Sequence, residues 1–146
     1  MWRGGPLQRL RWVEARCLAL CRAIDKKIAD AITQLTKSVN SPAWVDGNHV
    51  SGRDAEKVFD ESREAGKKLS DIKNPPPALA AQIAGWIDSL VAADRLLATT
   101  AIAEGGTPND LAEANNELAQ GDADRNNGKF DKAIDHYKNA WKALKP

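Results

Sequence analysis

From Leu7 to Thr36 the apolar residues Leu10, Val13, Cys17, Leu20, Cys21, Ile24, Ile28, Ala31, Ile32 and Leu35 recur at intervals of threes and fours. That spacing draws one stripe along about eight turns of an amphipathic helix, and a strand period of two fits none of it. A helix of this length cannot be stable on its own stripe. The rest of the chain must therefore supply partners to cover it.

The partners that follow are helical too. Ser38 to Val50 breaks the period with Asn40, Pro42 and Gly47, which predicts an ordered loop over 38–50 that carries Trp44 and His49. A second helix is expected over about 53–72, with Asp54 as its cap and Ala55, Val58, Phe59, Ser62, Ala65, Leu69 and Ile72 inward. Asn74-Pro75-Pro76-Pro77 then forces a stiff corner, because proline lacks a donor and restricts the residue before it. A third helix over 77–103 turns Leu79, Ile83, Trp86, Ile87, Leu90, Leu97 and Ala101 inward and stops at Gly105-Gly106. Thr107-Pro108-Asn109-Asp110 is a start signal for a fourth helix over 108–126, which is short of large apolar residues. Gly128 ends it, and a fifth over 130–144 presents Phe130, Ala133, Ile134, Tyr137, Ala140, Trp141 and Leu144. No stretch reads as a strand. The expectation is an all-α, irregular bundle of about five helices in a single domain over 7–146, behind a frayed lead-in over 1–6; 146 residues is the size of one domain.

Composition narrows the function classes. The net charge of +1 gives no global reason for a nucleic-acid partner, and charge interrupts every stretch that could have formed a transmembrane segment. Charge is unevenly placed, however: Arg3, Arg9, Arg11, Arg16 and Arg22 face only Glu14 in the first 22 residues. The uncharged run there, Cys17 to Cys21, is too short for a secretory signal, so no export signal is read. Cys17 and Cys21 lie one helical turn apart, a strained spacing for a disulfide, and are expected as reduced, buried, small apolar residues. Of five tryptophans, Trp86 and Trp141 fall on inner stripes and are expected in the core.

Residues 117–146 carry Gly121, Ala123, Gly128, Phe130, Ala133, Tyr137 and Ala140 with a closing proline, and resemble a single tetratricopeptide-like hairpin. Glu117 and Asp124 stand where that family has Trp and Tyr. No second copy follows at a 34-residue offset, so the hairpin is expected to dock on the upstream helices. Together with Trp44-Val45-Asp46-Gly47-Asn48-His49, Lys57-Val58-Phe59-Asp60-Glu61 and Ala93-Asp94-Arg95-Leu96-Leu97, it resembles an uncharacterised helical module near the C-terminus of secreted multidomain bacterial proteins. What this implies is an extracytoplasmic accessory or interaction module, over roughly residues 20–146.

Candidate chemistry is sparse. Asp122, Asp124 and Asn126 ahead of Gly128 approximate the opening of a calcium loop, but Asn127 holds the place of the turn glycine and Ala133 that of the bidentate Glu. A polar helix end explains the same residues, and no cofactor is implied. His49 follows Asp46 by three residues and sits beside Asn48, so a carboxylate-oriented imidazole is available, although no nucleophile accompanies it. His136 is expected on a solvated helix surface. The sequence therefore favours a non-catalytic protein-interaction or scaffolding module that binds a protein partner through Trp44, Asp46, Asn48 and His49. The alternative is a small-ligand or metal-ion site in the same 44–49 loop.

Overall fold

The computed structural model describes residues 6–144, with side chains described for Arg16 and from Leu18 onward. Its helices are α1 (Pro6–Val39), α2 (Ala55–Ser70), α3 (Pro77–Glu104), α4 (Pro108–Asn126) and α5 (Phe130–Ala143), joined in an all-α irregular bundle. The expected lead-in lies outside the described residues except Pro6, with which α1 begins. Between α1 and α2 the chain forms a two-stranded antiparallel ribbon, β1 (Trp44–Asp46) and β2 (His49–Val50), where a loop without strands was expected. Strands of three and two residues are too short to show a period of two in sequence. The two-residue Gly47-Asn48 connection between paired Asp46 and His49 is the hairpin signal.

Local chemistry sets most of the ends. Thr107 caps α4 by accepting from the Asp110 backbone N–H at 3.3 Å, with Pro108 in the first turn. Asp54 does not cap α2: it has helical backbone angles, makes no side-chain cap bond, and accepts instead from Lys57 Nζ at 2.7 Å. The Asn74 corner has φ of +50°, a left-handed conformation that asparagine tolerates better than most residues.

α4 and α5 form the most extensive antiparallel contact, and small residues make it possible. A Cβ on Gly121 would stand 2.5 Å from Tyr137 Cε1, so the missing side chain is what lets the two axes approach. α5 then packs on α3 and α2, burying Val58, Phe59, Val91, Leu97, Ile134, Tyr137 and Trp141. Phe59 and Trp141 meet with ring centroids 6.0 Å apart at 44°. Lys138–Asp60, Arg63–Asp135 and Lys142–Glu56 pairs stitch α5 to α2, and Arg95–Asp122 and Arg125–Asp88 stitch α4 to α3.

α1 lies antiparallel along α2, held by the Ser38 hydroxyl donating to Val58 O at one end and by Lys27–Asp71 at the other. The apolar cluster here is smaller: Ala31, Ala65, Leu69, Ile72 and Ile83 are buried, while Ile24, Ile28 and Leu35 are only partly covered. Several expected core residues are not in it. Ile32 is 57% exposed and Trp86 42%, and Leu20 and Cys21 are exposed as well. The reasons differ: Leu20 and Cys21 lie on the part of the 34-residue α1 that the 16-residue α2 does not reach, whereas Ile32 and Trp86 line the open side between α1 and α3, where no further helix closes over them. Cys17, Trp2 and Trp12 lie outside the described side chains.

Candidate interaction surface

The ribbon that carries the sequence's candidate residues is tied to the body at three points. The Trp44 indole N–H donates to Ser38 O at 2.7 Å, and its ring packs on the core beside buried Ala43. Val50 is buried and its carbonyl accepts from Trp141 Nε1 at 3.3 Å. His49 Nδ1 stands 3.3 Å from Glu104 Oε1 at the end of α3. Asp46 Oδ1 accepts from Asn48 N–H at 2.8 Å, an Asx turn that closes the hairpin. The four candidates therefore do not converge: Trp44 anchors, Asp46 and Asn48 build the turn, and His49 faces a carboxylate absent from the loop. His49 and Glu104 border a cleft of about 260 Å³ against Trp141 and Leu144, so the oriented imidazole exists with Glu104 in the role expected for Asp46.

The acidic run at the end of α4 also disperses. Asp122 takes Arg95 Nε and Nη2 at 2.7 and 2.8 Å and the Tyr137 hydroxyl at 2.8 Å. The Arg95 bond holds its carboxyl below the ordinary carboxylate range, and burial, followed by that carboxylate, raises the Tyr137 phenol. Asp124 turns elsewhere, 3.5 Å from His136 Nε2 and 3.5 Å from Lys129 Nζ. Asn126 lies on the rim of the cleft that Asp88, Arg95 and Arg125 share. Among the described residues no group of three His, Cys, Asp or Glu comes together that could hold a metal ion.

His136 is half-buried between two helices, not on a solvated face: its Nδ1 is 2.8 Å from Glu117 Oε2, opposite Asp124. Glu117 and Asp124 stand where the tetratricopeptide pattern has aromatic rings, and here they flank an imidazole instead.

Asp94 is the most deeply placed charge and the one that stripe reading passed over. It is 2% exposed inside the α2–α3 contact, and burial pushes its carboxyl up to about 8 despite a hydrogen bond from Ser62. Its Oδ2 has no hydrogen-bond partner among the described residues. The signal was present in the 4-3-4 spacing of Leu90, Asp94, Leu97 and Ala101, which places an acid on an inner stripe.

A different surface is open and apolar. Ile28, Ala31, Ile32 and Leu35 of α1 form one wall of a groove of about 410 Å³, Trp86, Ser89 and Leu90 of α3 form the other, and Leu69 of α2 is its floor. No described helix is long and apolar enough to cross a membrane. The structure thus defines a class, an all-α irregular bundle with one closed core and one open groove. Compared with protein-family models, curated proteins and solved structures, the chain matches none.

Proposed function

We propose that this chain is a non-catalytic helical interaction module, and that its contact surface is the α1–α3 groove in place of the 44–49 loop. One observation carries the reading: Ile32 and Trp86 stand exposed on facing walls of a groove whose lining is almost wholly apolar. Apolar area left in water forgoes roughly 25 cal/mol per Å², and two walls with a floor are the shape that receives the apolar face of a helix. The bacterial, extracytoplasmic setting and the tetratricopeptide likeness of residues 117–146 belong to this proposal on the residues quoted for them above.

The test is a photo-cross-linking amino acid placed at Ile32, with the same group at exposed Asn115 on α4 as reference. Protein adducts should form at position 32, fade when Trp86→Glu is added with helicity unchanged, and be few at position 115. Equal yields at the two positions would overturn the proposal.

A further inference from the structure

The two imidazoles of the chain each face a carboxylate, but in different ways. His136 is engaged on both sides: Nδ1 meets Glu117 Oε2 at 2.8 Å and Nε2 faces Asp124 at 3.5 Å. His49 is open. Its Nδ1 stands 3.3 Å from Glu104 Oε1, longer than the roughly 2.7–3.2 Å of an N–H···O hydrogen bond, and the two side chains are 32% and 47% exposed.

The setting of this pair is negative. Glu104 is the last residue of α3, no basic residue lies in the last turn, and the Gly105 N–H reaches only Ile102 O. The carboxylate therefore sits at the negative end of its own helix dipole, where an anion is disfavoured and a cation favoured. His49 answers that charge only when protonated. Ser51 follows it by two residues, with buried Val50 between them, and lines the same cleft of about 260 Å³. That volume has room for several waters beside the imidazole.

We propose that His49 and Glu104 bind a divalent transition-metal ion of the zinc class, at a site independent of the α1–α3 groove. With bonds of about 2.0–2.1 Å, two ligands of a tetrahedral Zn²⁺ lie about 3.3–3.4 Å apart. The Nδ1 to Oε1 separation already has that length, so the ion needs no rearrangement of the pair. The imidazole binds through Nδ1 with its proton on Nε2. Only these two side chains carry the site, and water and the Ser51 hydroxyl are the donors left to complete the sphere. Asp46, held in the turn by Asn48, takes no part. An imidazole donor selects Zn²⁺ over Mg²⁺ and Ca²⁺, which prefer oxygen alone. The ion ties β2 to the end of α3, beside the hydrogen bond from Trp141 to Val50.

Zn²⁺ added to the metal-free full chain in slightly alkaline buffer should raise the thermal midpoint by a few degrees, and Mg²⁺ or Ca²⁺ should not. His49→Gln and Glu104→Gln should each weaken Zn²⁺ binding at least tenfold in calorimetric titration with helicity unchanged, and His136→Gln should leave it intact. Co²⁺ in place of Zn²⁺ should show the visible absorption of tetrahedral coordination. No midpoint shift with Zn²⁺ would reduce the pair to an ion contact and overturns the proposal. Binding that survives both His49→Gln and Glu104→Gln, or that is lost only with His136→Gln, places the ion elsewhere and overturns it too. None of these outcomes bears on the groove, which is tested at position 32.

Discussion

The two apolar clusters draw on the same kinds of residue and differ in how many elements close over them. Around Tyr137 and Phe59, helices α2 to α5 and the ribbon all contribute, and both rings are fully buried. Around Ala31 and Leu69 the chain supplies only α1, α2 and the first half of α3, and Ile32 and Trp86 remain in water. Enclosure, and not side-chain hydrophobicity, separates core from surface here: an isoleucine on a perfect helical stripe stays exposed when no second helix arrives.

The largest predicted effect tests that contrast directly. Phe59→Ala removes a wholly buried ring that touches Trp141, and should cost ~3–5 kcal/mol in urea unfolding. Ile32→Ala should stay within ~0.5 kcal/mol of wild type. Similar costs at the two sites would mean that the α1 side is as closed as the other, which breaks the comparison.

Next in size is the effect of the closed side on the acid it encloses. The Asp94 carboxyl titrates at about 8 in the fold against an ordinary 3.8, because burial disfavours its charge. Between those values the folded chain holds a proton that the unfolded chain has released, so stability falls as pH rises through the window and is lowest above 8. The steepest loss is ~1.4 kcal/mol per pH unit. Asp94→Asn keeps the shape without the charge. Urea midpoints at pH 5, 7 and 9 should therefore diverge, the variant gaining on wild type at each step, and parallel lines would show that Asp94 reaches water.

How much of this was legible in the sequence depends on the range over which each cause acts. The Thr107 cap, the proline corner and the inner faces of α2 and α5 are local or periodic, and they follow from neighbouring residues alone. Trp86 is different, because α3 is apolar on most of its circumference and only the position of α1 decides which arc is open. The ribbon escaped notice because its strands are shorter than a period can show, and the Asx turn within it was legible while the reach of His49 to Glu104 was not. Asp94 was readable in spacing, but its burial required α2 to be in place. The candidate surface moved from the loop to the groove for the same reason: loops announce themselves in sequence, and an uncovered helix face does not.

The finest comparison uses two helical glycines, one on each side. Gly121 lies under Tyr137, where a Cβ would meet Cε1 at 2.5 Å and Cδ1 at 2.8 Å, so Gly121→Ala must displace a ring that is packed on every side and bonded to Asp122. Overpacking of this kind should cost ~1–3 kcal/mol. Gly85 lies in α3 next to Trp86, with nothing within 4 Å of a built Cβ. There alanine only restricts the unfolded chain and favours helix, so Gly85→Ala should gain ~0.5–1 kcal/mol. The same methyl group should thus lower the thermal midpoint on the closed side and raise it on the open side. A loss at Gly85 would mean that this face of α3 is packed against a neighbour, which breaks the comparison.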